Sequence, residues 1–260
     1  MTEQDMIQKV FAVENIHVIF CNYSRMPYVE CDTEDFTDKT FLFTDADKAK
    51  EFCDSYKEKK QLLSTYTIPQ NALKSFFSAM ITDGIDMVCI QDEETMTLPI
   101  SKLITRVLKE GASQPVENPA LQLSIMYFLQ TVQIAETPEE KEESRRLEEE
   151  MMVNIARATY LVPFSEIGEV DAEGNQQINL INLQNKNGET FIPLFTDLDE
   201  YHKIKPSEKQ TSLLSMGFKQ IRSTKLTNVN GFVINPGSSN IQLTPQNIAA
   251  VDQRFGDQAK

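Results

Sequence analysis

Residues 189–201 read ETFIPLFTDLDEY, and residues 39–49 echo them as KTFLFTDADKA. In both, an apolar run ends on Phe-Thr-Asp-x-Asp. After Phe43-Thr44-Asp45-x-Asp47, the residues Ala49, Phe52, Cys53 and Tyr56 come at helical spacing and make one apolar face. A strand giving way to a helix explains the motif. Thr44 and Thr196 are the expected N-caps, since a hydroxyl can accept a bond from an unpaired first-turn amide. Asp47 and Asp199 sit three residues on, where an acid completes a capping box and favours the positive helix end. Calcium is the sharper alternative for these aspartates. It needs a continuation such as D-x-D-x-D-G with a distal Glu, which neither copy supplies, so no metal is expected.

The segments downstream of the motif recur as well. The first copy continues LLSTYTIPQNALKSFFSAM and GIDMVCIQDEETMTLPISKLITRVL; the second continues TSLLSMGFKQIRSTKL and NVNGFVINPGSSNIQLTPQNIAAV. Each reads as a short strand, a short helix, a buried strand, a polar turn and a helix opened by proline. Pro99 and Pro245 suit the first helical position, where a missing N–H costs nothing. Upstream, ATYLVPF is one strand, and QQINLINLQ is another joined to ETFIPLF across Lys186-Asn187-Gly188, a strong hairpin signal. The Asn and Gln richness of 175–187 is read as a solvated strand face rather than a low-complexity tract. NIHVIFCNY, MPYVECD and KTFLF fill the same places in the first copy. The fold class is therefore α+β: two tandem copies of a similar mixed-sheet domain with flanking helices, over 1–110 and 118–260, with the break at EGASQP, 110–115.

Two helices lie between the copies, within 119–158. Asn118-Pro119 opens the first, with Leu121, Ile125, Phe128, Leu129 and Val132 inward. Its stretch PALQLSIMYFLQTVQIA is broken by Gln122, Ser124, Gln130 and Gln133, too polar and slightly short for a membrane span. Thr137-Pro138-Glu139-Glu140 opens the second as a proline-reinforced capping box. Its stripe is Leu147, Met151, Ile155 and Ala158, and its Glu/Arg run is a solvated face.

Composition bounds the function. With 40% hydrophobic and 25% charged residues the chain is globular rather than disordered. The net charge is −14, and 19 acidic and 12 basic residues precede position 111 while 20 and 13 come after it. No basic face is expected for a phosphate backbone, so neither nucleic acid nor anionic membrane is expected as a partner. The partner expected is another protein, neutral or basic. Residues 1–20 lack a basic start and an apolar core, so no secretory signal is expected. Cys21, Cys31, Cys53 and Cys89 show no C-x-x-C spacing and only two histidines accompany them. They read as small, mostly buried thiols in a reducing cytoplasm rather than a disulfide framework or zinc site.

The ordered set NPALQ at 118–122, TYLVPF at 159–164, FIPLFTDLDEY at 191–201 and GFVINPGSSNIQLTP at 231–245 resembles the SseB amino-terminal domain family, bacterial proteins named for enhanced serine sensitivity on overproduction. The first copy is similar as a degenerate relative, with CIQDEETMTLP in place of the Asn-Pro-Gly turn. The resemblance implies a cytoplasmic bacterial α+β protein without established enzymatic activity. It carries over no catalytic residue, and nothing in the sequence supports the translocator role of an unrelated protein that shares the name.

His17 falls in an expected strand and His202 on a charged helix, neither beside a G-x-S-x-G or similar nucleophile motif. No HExxH, Walker A or dinucleotide fingerprint is present, so no catalytic residue and no cofactor is assigned. The one ligand candidate is the turn Asn235, Pro236, Gly237, Ser238, Ser239 and Asn240, whose small residues can expose amides to an anion. Ile241, Gln242 and Leu243 separate it from the helix at Pro245, so it lacks dipole support, and a plain turn or hairpin is favoured. The reading is a non-catalytic protein-interaction or regulatory module; the alternatives are a small-molecule or anion sensor using that turn, and an undetected hydrolase.

Overall fold

The computed structural model describes residues 1–106, 114–167, 177–204 and 211–259. It is an α+β fold in two compact units, Met1–Gln114 with Gln122–Glu148, and Pro115–Leu121 with Glu149–Lys260. Most of the break expected at 110–115 falls on 107–113, outside the described residues.

Unit 1 opens with α1 (Glu3–Ala12), capped by Thr2 and Asp5, then β1 (Asn15–Cys21), β2 (Met26–Pro27), β3 (Val29–Cys31) and β4 (Asp38–Phe43). After the motif come α2 (Ala46–Ser55), β5 (Leu63–Pro69), α3 (Leu73–Thr82), β6 (Met87–Gln91) and β7 (Thr95–Pro99). β1 lies antiparallel to β5 from Asn15↔Pro69 to Cys21↔Leu63, and to β4 at His17↔Phe43 and Val18↔Leu42. β4 runs parallel to β6, and β6 antiparallel to β7. Both faces of the central strands β1, β4 and β6 are covered, which is why these strands are so apolar. Ile16, Val18, Leu42, Val88 and Ile90 pack with Met6 and Val10 of α1 and Leu73, Phe77 and Met80 of α3. Phe41, Phe43, Ile19 and Cys89 pack on the other side with Ala49 and Cys53 of α2.

The helix α4 (Pro119–Val132) shows where side-chain counting falls short. Leu121 and Ile125 are buried, as expected, but Phe128 and Leu129 are half-buried and Val132 is exposed. Gln122, Ser124 and Gln130 are buried instead. Gln130 mimics a strand: its Nε2 donates to the Val29 carbonyl at 3.0 Å and its Oε1 accepts from the Val29 N–H at 3.1 Å. Gln122 donates to Asp83 Oδ1 at 3.2 Å. Buried amides with such partners are stable where unpaired ones are not. The next helix, α5 (Pro138–Arg157), opens on the expected capping box, with Glu140 N–H donating to Thr137 Oγ1 and Thr137 N–H to Glu140 Oε2.

Unit 2 comprises β8 (Thr159–Ile167), β9 (Gln177–Leu180), β10 (Leu183–Gln184), β11 (Thr190–Leu194), α6 (Leu198–Ile204), β12 (Ser212–Gly217), α7 (Phe218–Ser223), β13 (Gly231–Ile234), β14 (Ile241–Leu243) and α8 (Pro245–Phe255). β8 lies between β12 and β9, both antiparallel to it. β11 runs parallel to β13, which is antiparallel to β14. A bridge at Leu161↔Phe195 links β8 to the residue after β11, with paired bonds of 2.8 and 2.9 Å.

Three local expectations are corrected. QQINLINLQ is not one strand: β9 pairs with β8 and β10 with β11, the break at 181–182 letting the chain change sheets. The hairpin between β10 and β11 is present, with Gly188 at φ +82° and Asn185 Oδ1 accepting from the N–H groups of Asn187 and Glu189. The polar turns lead into extra strands, β7 ending on Pro99 itself and β14 ending two residues before Pro245. Finally, Pro245 begins α8, capped by Thr244 and Asn247, whereas Pro99 leads only to a 3-10 turn, Ile100–Lys102. Thr244 supplies the cap before Pro245; buried Leu98 before Pro99 has no acceptor to offer.

Candidate functional site

The repeated motif and the Asn-Pro-Gly turn meet in space. β11 and β13 run parallel, so both chains leave the sheet at the same end. Thr196, Asp197 and Asn235 are all buried there. The Asn235 Oδ1 accepts from the Thr196 N–H at 3.0 Å, and its Nδ2 donates to Thr196 Oγ1 at 2.9 Å. The Asn235 N–H donates to the Leu194 carbonyl at 2.9 Å, continuing the ladder by one step. Asn235 holds φ +47°, a left-handed conformation that asparagine tolerates better than most residues.

The caps lie one residue later than expected. Asp197, not Thr196, caps α6 by accepting the Glu200 N–H at 2.8 Å on Oδ1. Asp45, not Thr44, caps α2, accepting from the N–H groups of Asp47 at 2.8 Å and Lys48 at 3.2 Å. Aspartate caps as well as threonine does. Each threonine reaches sideways to the neighbouring strand's end instead. Thr44 Oγ1 donates to Asp92 Oδ1 at 2.5 Å, just past β6, as Thr196 bonds Asn235 just past β13. Lys9 pairs with the other Asp92 oxygen; these two bonds hold the Asp92 carboxyl below the usual range against the opposing effect of its burial.

The rest of the turn is largely closed on itself. The Ser238 and Asn240 N–H groups both donate to the Asn235 carbonyl at 3.0 Å. Ser238 Oγ donates to Glu200 Oε2 at 2.6 Å, and Lys203 Nζ meets the other oxygen. Burial pushes the Glu200 carboxyl up, against the pull of Lys203 and Ser238. A Cβ on Gly237 would lie 3.0 Å from Lys203 Cβ, so α6 packs directly onto the turn. Ser239 is the exception: its hydroxyl is buried without a partner among the described residues. Asn118, whose part in this site no sequence pattern indicated, sends Nδ2 to the carbonyls of Thr159 and Thr196, both at 2.7 Å, and accepts the Thr159 N–H. Its amide therefore joins the start of β8 to the motif.

The other chemistry-bearing residues are dispersed. His17 sits on β1 with Nδ1 3.1 Å from Thr67 Oγ1, and His202 lies on α6 beside the Tyr201 ring. Cys21, Cys53 and Cys89 are buried free thiols and Cys31 is exposed. Among the described residues no three His, Cys, Asp or Glu side chains group to hold a metal, and no helix is long and apolar enough to cross a membrane.

Comparison with curated proteins gives no match. Among solved structures, the chain is similar to Anabaena Tic22 (protein transport) at 9% identity over 83% of each chain, TM-score 0.23, and to Tic22 from Plasmodium falciparum at 14% identity over 98% of this chain and 99% of that one, TM-score 0.22. The family comparison falls on the part of the chain that holds the Thr196–Asn235 clasp: residues 136–250 match the family model of the SseB protein N-terminal domain.

Proposed function

We propose that the chain is a non-catalytic protein-interaction or regulatory module, built from two tandem copies of one mixed-sheet domain and acting on a neutral or basic protein in the bacterial cytoplasm. The observation that carries this reading is the use to which the candidate turn is put. The Asn235 amide, the Ser238 hydroxyl and the amides of Ser238 and Asn240 are all engaged inside the fold. These residues build a clasp, and the work falls to a surface. The tandem arrangement is supported by the pairing in each unit: antiparallel β1–β5 and β8–β12, parallel β4–β6 and β11–β13, then antiparallel β6–β7 and β13–β14. Phe43 and Phe195 are both buried, one paired with His17 and the other with Leu161.

The sensor reading rests on one feature, the buried and unpartnered Ser239 hydroxyl. The Ser238 hydroxyl and the Ser238 and Asn240 N–H groups are already engaged within the fold, so none of them is left for an anion beside it. A thermal-shift screen of the intact chain against phosphate and common metabolites separates the two readings. The module reading expects no stabilisation; a shift that disappears in Ser239→Ala establishes the sensor. Activity-based profiling addresses the hydrolase alternative, with no labelled side chain expected.

A further inference from the structure

The edge of unit 1 carries an unprotected strand. Among the described strands β5 pairs only with β1, and the register places Asn22 opposite Leu62 and Glu14 opposite Gln70, extending the ladder at both ends. The Asn22 N–H donates to the Leu62 carbonyl and the Gln70 N–H to the Glu14 carbonyl. Even-numbered residues of β5 therefore turn their backbone toward β1, and antiparallel alternation turns the odd-numbered ones outward. The N–H groups of Leu63, Thr65 and Thr67 and the carbonyls of Leu63, Thr65, Thr67 and Pro69 face away from the sheet, and none bonds to another described residue. Edges of this kind are usually blunted by charge, a bulge or brevity. LSTYTIP has seven residues and no charge; its one protective residue is Pro69, at its very end. Tyr66 is 57% exposed on this strand, with its ring 5.2 Å from that of Phe20.

We propose that β5 is a homodimerisation edge, pairing antiparallel with β5 of a second copy about a two-fold axis at Tyr66. The chemistry of the strand is self-complementary about that residue. Thr65 falls opposite Thr67 of the second copy and exchanges both backbone bonds with it, and the reverse pair repeats the exchange. Leu63 falls opposite Pro69, so the N–H that proline lacks is missed only at the two ends. Tyr66 meets Tyr66 at the close, non-hydrogen-bonded position, on the face where Phe20 already lies. Thr–Thr and aromatic–aromatic pairs are among the favourable cross-strand combinations. An isologous contact needs one patch that matches itself, and this segment does. Each copy carries a net charge of −14, so only an uncharged contact brings like copies together without adding repulsion at the seam. The remaining charges are screened beyond about 8 Å at physiological salt.

Sedimentation equilibrium of the full chain tests this. The wild type should shift with concentration toward twice 29.6 kDa, more readily at higher salt. Thr65→Pro removes an outward N–H while leaving the bonds to β1, and Tyr66→Lys sets two like charges against each other on the axis. Both should remain at 29.6 kDa with unchanged circular dichroism. If the proline variant misfolds, the lysine variant alone decides. In the wild type, hydrogen exchange at the Thr65 and Thr67 amides should slow as concentration rises. A wild type that stays monomeric with concentration-independent exchange overturns the proposal, as does a dimer that survives in Tyr66→Lys. A monomer whose Thr65 and Thr67 amides are protected only by an unrelated extended peptide overturns it too, by giving the edge another occupant.

Discussion

Replacing Asn235 with alanine should be among the most damaging single changes in unit 2. Three losses add. The Thr196 N–H, fully buried, loses its acceptor, and an unsatisfied buried donor costs about 1–3 kcal/mol. The bond from Nδ2 to Thr196 Oγ1 is worth about 1 kcal/mol. Alanine at φ +47° adds about 1 kcal/mol of backbone strain that asparagine largely escapes. The sum is about 4 kcal/mol. Glycine at the same site relieves the backbone cost, so Asn235→Gly should be less destabilising by about 1 kcal/mol. Urea unfolding followed by far-ultraviolet circular dichroism gives the global value. Hydrogen exchange at the Thr196 amide gives the local one, which matters because two units need not unfold together. An alanine variant within about 1 kcal/mol of wild type, with the Thr196 amide still protected, would refute the clasp.

The cap assignment predicts that Asp45→Ala costs about 1 kcal/mol in urea unfolding, a loss that an equally stable variant would contradict. Gln130→Ala should cost about 2–3 kcal/mol, since it strands both backbone groups of buried Val29; a neutral result would show that water replaces the amide. Glu200 yields a pH test. Its carboxyl is raised in the folded state, so the folded protein holds that proton more tightly than the unfolded chain does. Its stabilising contribution is thus greatest in acid and declines as pH rises above the unfolded value of about 4.3. Glu200→Gln should gain in melting temperature relative to wild type between mildly acidic and neutral pH. A gap between the two that is constant with pH, or narrows in the other direction, would count against this.

Local signals in the chain are legible and cross-chain ones are not. The box Thr137–Glu140, the Asn185–Gly188 hairpin turn and the stripe Ala49, Phe52, Cys53, Tyr56 each depend on residues within one or two turns of one another, so their spacing reports them. The caps fall one residue later than spacing suggests because threonine and aspartate are adjacent and cap equally well; only the neighbouring strand shows which is otherwise engaged. That Thr196 belongs with Asn235 depends on a parallel pairing between segments 39 positions apart, which no local pattern announces. The same holds for Asn118 and Gln130, which read locally as a helix opener and a break in an apolar run. Both use their amides on strands distant in sequence, Asn118 on Thr159 and Gln130 on Val29.

The proposed function meets its sharpest test in affinity capture with the tagged, full-length chain, completed by reconstitution with the purified candidate and titration calorimetry. A basic protein should bind the intact chain with an affinity that weakens as salt rises, a neutral one with little dependence on salt, and either should bind equally well after Ser239→Ala. A purified chain that turns over a defined substrate, with the turnover lost on a single side-chain change, would contradict the non-catalytic reading.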